Sequence, residues 1–145
     1  MPTIWTIGYE RLLPAELVAE LQAARIERLI DVRFRPQSRR PGMSKTRLSE
    51  TLGDHGIAYE HRKPLGTPPE IRWLFKAGRT GEGAPAFREH LERTAAHEVD
   101  ALAAELHRGP RTVLMCLEAD PAACHRRVVA EALVARVAGL TVVDL

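Results

Sequence analysis

Both cysteines of this chain lie in one short segment, residues 116–127, which reads C-L-E-A-D-P-A-A-C-H-R-R. Glu118, His125, Arg126 and Arg127 stand around Cys116 and Cys124. Thiol, carboxylate, imidazole and guanidinium groups at this density suit three chemistries. Cys116 or Cys124 could act as a thiolate nucleophile, with Glu118 or His125 moving protons. The same sulfurs, with His125 and Glu118, could hold a metal ion. Arg126, at the start of a helix with free backbone N–H groups, could hold a phosphate or carboxylate. Each has a plain alternative: Cys116 as a small buried hydrophobe, Arg127 as a surface partner of Glu131.

The metal reading meets two objections. The C-x7-C-H spacing is not a familiar zinc pattern, and neighbouring helical residues point about 100° apart. The expectation is therefore that no metal is bound. Cys124, placed in the first turn of a helix beside cations, is expected to have a lowered thiol pKa.

A second chemical segment is basic. Residues 32–49 contain Arg33, Arg35, Arg39, Arg40, Lys45 and Arg47 and no acid. Pro36 and Pro41 stiffen it, so Arg33, Arg39 and Arg40 are candidate phosphate ligands. Asp31 sits inside the apolar run L-I-D-V, where a carboxylate needs either an arginine partner or a catalytic role as base. Tyr9 follows the first apolar run and could stack on a base.

The elements that must position these groups alternate. Residues 3–8, 28–32, 57–60, 112–116 and 140–143 read as strands. Between them, helices are predicted over residues 14–26, 44–54, 68–76 and 86–107, and from Asp120-Pro121 to Gly139. Thr67-Pro68-Pro69-Glu70 reads as a capping box, and residues 78–85 as a loop. This pattern predicts a single α/β domain over residues 1–145, with three layers: a mainly parallel sheet and helices on both faces. Ligands of such sheets bind beyond the carboxyl ends of the strands. Tyr9, Arg33 and the Cys116–Glu118 segment each follow a strand and are predicted to converge there.

The segments T-I-G-Y-E (6–10), L-I-D-V-R-F-R-P-Q-S-R-R-P-G (29–42), G-I-A-Y-E-H (56–61), P-L-G (64–66) and L-M-C-L-E-x5-C-H-R (114–126) resemble the bacterial family catalogued as domain of unknown function 488. The resemblance implies a compact α/β domain and brings no established reaction. One departure is Thr67, where the family pattern leads us to expect a second glycine.

Composition narrows the classes. The 145 residues carry 21 basic and 19 acidic side chains, a net charge of only +2, so the whole chain is not a polycation. No apolar run suits a membrane span, and the first residues lack signal-peptide character, so a cytoplasmic location with reduced thiols is expected. Walker-type, dinucleotide-binding and H-E-x-x-H motifs are absent. The functional expectation is a phosphate-bearing small molecule, such as a nucleotide, or a nucleic acid, bound in an Arg-lined pocket. Arg33, Arg39, Arg40, His125, Arg126 and Tyr9 would bind it, and Glu118, Asp31, Cys116 or Cys124 could act on it. A non-catalytic nucleic-acid-binding module and cysteine-based sulfur transfer are the alternatives. Any cofactor is unknown from the sequence.

Overall fold

The strands are β1 (Thr3–Gly8), β2 (Arg28–Asp31), β3 (Ala58–His61), β4 (Thr112–Cys116) and β5 (Thr141–Asp144). In a computed structural model that describes residues 2–145, they form one all-parallel sheet in the order β3-β2-β4-β1-β5. Six helices surround it: α1 (Pro14–Ala23), α2 (Lys45–Asp54), α3 (Pro69–Lys76), α4 (Thr80–Thr94), α5 (Ala96–Glu105) and α6 (Arg126–Val134). The predicted α/β architecture holds.

Side chains alternate across each strand, which divides the apolar residues between two cores. Val113 and Met115 of β4 join Ile7, Leu29, Leu17 and Leu48 beneath α1 and α2. Leu114 and Cys116 join Ile30, Phe87, Leu102 and Val129 beneath α4, α5 and α6. The helices therefore cover both faces. Among the described residues no helix is long and apolar enough to cross a membrane.

The order of the strands fixes where a cleft can form. The chain leaves β1 and β2 towards α1 and α2 on one face, but leaves β4, which lies between them, towards α6 on the other. Loops that part in opposite directions leave a crevice above the strand ends. It opens over Gly8, Asp31 and Cys116.

Three predicted elements differ. The loop expected over residues 78–85 is helical from Thr80, despite Gly81, Gly83 and Pro85. A proline inside a helix costs about 3 kcal/mol and a glycine about 1 kcal/mol. Full burial of Phe87 and Leu91, worth about 1.5–3 kcal/mol each, offsets much of that cost. Gly83 also lets α4 approach the Phe75 ring, which a Cβ would meet at 3.0 Å. The single helix expected over residues 86–107 breaks at Ala95, next to Thr94, whose hydroxyl donates to the His90 carbonyl at 2.8 Å. Such back-bonding bends helices. Finally, Asp120 caps only a short 3-10 turn (Pro121–Ala123), and Cys124 is extended (φ −122, ψ 142) before α6 begins. Cys124 is thus not in the first turn of a helix.

Gly8 marks the tightest contact near the crevice. A Cβ there would lie 1.7 Å from the Glu118 carbonyl oxygen. Gly8→Ala must displace the β4–α6 loop, and we expect it to cost at least about 1–3 kcal/mol in urea denaturation. Wild-type stability in that variant would mean that the strand end and the loop are not in contact.

Candidate functional site

Asp31 is fully buried at the end of β2, and three groups serve its carboxylate. Arg33 donates from Nε at 2.9 Å to one oxygen and from Nη2 at 2.7 Å to the other, and its backbone N–H adds a bond of 3.0 Å. The Tyr59 hydroxyl donates to Oδ2 at 2.5 Å. Arg33 extends the network through Nη1, which donates to the Tyr9 hydroxyl at 3.2 Å and the Met43 carbonyl at 2.7 Å. Burial opposes the Arg33 charge, but Asp31 more than offsets it and raises its pKa. Burial, followed by the hydrogen bond and charge of Asp31, likewise raises that of Tyr59. Asp31 and Arg33 therefore neutralise each other beside the cleft.

A second cluster lies across the sheet edge. Cys116 Sγ is 3.4 Å from Nδ1 of His125 and 3.9 Å from Glu118 Oε2, while Cys124 Sγ is 3.9 Å from the same Nδ1. Nε2 of His125 contacts the Val32 carbonyl at 2.8 Å. A carbonyl only accepts, so Nε2 is the protonated nitrogen. The rings of Phe87 and Phe75 meet the imidazole edge to face, with centroids 5.4 and 6.4 Å away.

The electrostatics separate the two thiols. Burial opposes ionisation of Cys124, yet a hydrogen bond from Cys116 and the His125 charge bring its pKa down. Burial, then the hydrogen bond with Cys124 and its charge, push the Cys116 thiol up. Burial opposes the His125 charge too, but Cys124 raises its pKa. Burial, then the charge of Cys124, pushes Glu118 up to about 7. These groups can store and pass a proton.

The arginines of the motif segments have other partners. Arg126 is fully buried and donates to the Glu118 carbonyl and, at 3.4 Å, to the Ala119 carbonyl. Arg40 donates to the carbonyls of Tyr9, Glu10 and Leu12 and so staples the β1–α1 loop. Arg127 pairs with Glu131 at 3.6 Å. Arg39 is exposed, away from the cleft lining. His61 Nε2 lies 2.7 Å from the Arg33 carbonyl.

The crevice has two parts. The inner slot, about 30 Å³, is lined by Tyr9, Arg33, Cys116, Glu118, His125 and Phe75. Cys124 lies behind this lining. A wider outer basin of about 220 Å³ adds Pro69, Trp73 and Lys76, and the two parts share Phe34, Arg35, Thr67 and Arg72. At the junction the Thr67 hydroxyl is buried with no hydrogen-bond partner among the described residues.

The structure brings the expected Tyr9, Arg33, Cys116, Glu118 and His125 to one cleft, with Asp31 and Cys124 buried behind its lining. Sequence reasoning missed Thr67, Arg72 and Trp73. Thr67 reads as the cap of α3, but Pro68 takes that place and leaves the hydroxyl facing the cleft. The family-pattern departure at Thr67 was the one sequence signal available. Gly66 is needed where it stands, because a Cβ would meet the Phe34 Cα at 2.5 Å.

Residues 14–133 match the family described as Domain of unknown function DUF488, so the chain belongs to that family. No curated protein and no solved structure matches it.

The Asp31 cluster yields a stability prediction. Asp31→Asn leaves the Arg33 guanidinium buried without a counter-charge and is expected to cost about 3–5 kcal/mol. Tyr59→Phe removes one bond to that carboxylate and should cost about 1 kcal/mol. Urea denaturation of both variants compares them; equal losses would show that the carboxylate is not the keystone.

Proposed function

Membership of a family without an assigned reaction leaves function to be read from the site, and we propose that this protein is an enzyme acting on a phosphate-bearing ligand, a nucleotide or the end of a nucleic acid. The ligand lies in the outer basin and extends one group into the inner slot. Arg35 and Arg72 counter its charge, because both line the cleft and neither side chain makes a hydrogen bond or ion pair among the described residues. Arg33, Arg40 and Arg126 instead hold the walls of the site in place. Trp73, half exposed at 50 %, offers a face for a base, and Lys76 adds charge at the rim.

The observation that carries this reading is the Thr67 hydroxyl. A buried hydroxyl without a partner costs about 1–3 kcal/mol, and a ligand that crosses from basin to slot relieves it. Two unpaired arginines flank it, which sets the sign of the ligand. The slot admits only a small group, since a water needs roughly 10–15 Å³ of such space. That group meets Glu118, Cys116 and His125, whose carboxyl, thiol and imidazole can take up or deliver a proton. A cysteine nucleophile for sulfur transfer is disfavoured, because Cys124, the thiol whose pKa its neighbours bring down, lies behind the slot lining.

Titration with mononucleotides and with labelled single-stranded DNA, followed by Trp73 fluorescence and by anisotropy, tests the proposal. Arg35→Ala and Arg72→Ala are each expected to weaken binding roughly 10- to 100-fold, as for a charge-assisted hydrogen bond. Arg47→Ala, on the exposed face of α2, should leave it unchanged. No binding, or rim variants that bind like wild type, would refute it. Affinity that falls steeply with salt only for the DNA would identify the nucleic acid as the ligand.

A further inference from the structure

We infer that Cys116, Cys124 and His125 form a binding site for a soft divalent cation of the zinc class, with Glu118 beside the fourth coordination position. The inference rests on the reading above only in placing the ion at the inner end of the same cleft. All three side chains are buried, and their ligand atoms lie within 4.8 Å of one another. In tetrahedral coordination, bonds of about 2.3 Å to sulfur and about 2.0–2.1 Å to nitrogen put sulfur and nitrogen roughly 3.6 Å apart. The two thiols stand 3.4 and 3.9 Å from Nδ1 of His125. The sulfur–nitrogen spacings are thus near those of a metal site, while the two sulfurs, within 4.8 Å of each other, must settle at roughly 3.8 Å.

The imidazole is already presented as a ligand. Cys116 Sγ, 3.4 Å from Nδ1 and 3.8 Å from Nε2, stands beside the ring and must turn in towards Nδ1, whose lone pair is free because Nε2–H donates to the Val32 carbonyl. That is how metal-binding histidines are fixed by their outer partners. Phe75 and Phe87 hold the ring edge-on and keep it from turning away. The helical objection to joint ligation by adjacent residues also falls. Cys124 is extended and α6 starts only at Arg126, so the Cys124 and His125 side chains converge.

The donor set selects the ion. Two thiolates and an imidazole suit zinc and its softer neighbours, whereas magnesium and calcium require oxygen ligands. The slot touches Cys116, Glu118 and His125 but not Cys124, so the ion would be open on the side facing the cleft. Three protein ligands and one exchangeable position is the arrangement of catalytic rather than structural zinc. Glu118 Oε2, 3.9 Å from Cys116 Sγ, lies where it can either close that position or hydrogen-bond a water in it.

Cobalt(II), added to reduced, chelator-treated, full-length protein, is the probe. One equivalent is expected to bind with a thiolate-to-cobalt absorption band and tetrahedral visible bands, and zinc should displace it. Cys116→Ser and Cys124→Ser should each weaken the sulfur band, and the double variant should lose it. Arg35→Ala and Arg72→Ala should keep it, so failure of this site and failure of the anion basin are told apart. Absence of saturable uptake by wild type, or a sulfur band that survives in the double variant, overturns the site. If the cysteine variants do not fold, X-ray absorption of zinc-loaded wild type decides: a shell with two sulfurs supports the site, and a shell of only nitrogen and oxygen overturns it.

Discussion

A carboxylate without water holds the working edge of this protein together. Asp31 ends β2 in a fully buried position, and its charge is tolerable only because Arg33 meets both oxygens and Tyr59 adds a third donor. Desolvation makes such a pair a poor source of net stability, while the loss of either member is severe. Its importance lies in what it fixes. Through Arg33 it reaches Tyr9 after β1 and the Met43 carbonyl before α2, and through Tyr59 it reaches β3. One ion pair thus sets the relative positions of three strand ends and the basic loop. The cleft inherits its shape from that arrangement.

Across the edge, a different logic applies. The Glu118 loop is held by Arg126 from below and by its contact with Gly8 from the side. Arg126 is as buried as any leucine here, and its two terminal nitrogens donate to backbone carbonyls. Two arginines from the most suggestive motifs are thereby scaffolding, and the charge left for a ligand sits on less conspicuous residues. The site grades from cationic and aromatic at its mouth to sulfur and imidazole at its floor. This gradient suits a ligand that is anchored by its charge and altered at its far end.

Much of this was legible from residue order. Short apolar runs placed the strands, and alternation with helices made them parallel, so Gly8, Asp31 and Cys116 had to end at one edge. The fates of the arginines were not legible. Whether Arg33 meets Asp31 or a ligand depends on side-chain geometry, and Arg40 finds carbonyls far away in sequence at Tyr9, Glu10 and Leu12. The start of α4 was obscured because local glycine and proline preferences lost to the burial of Phe87. The extended backbone at Cys124 was hidden by Asp120-Pro121, a strong start signal that serves only a short turn. That error mattered most, since it turned two converging ligands into diverging ones.

The sulfur, imidazole and carboxylate groups of the slot all come from the single stretch from the last residue of β4 to the start of α6, whereas Thr67, Arg72 and Trp73 come from around α3. The two sets meet at the cleft but are separate in the chain. If the cleft binds the proposed ligand, substitutions around α3 would change which molecule is admitted while the Cys116–His125 stretch stays intact. On the proposed reading the domain is modular: one segment would supply the chemistry and the other the selectivity.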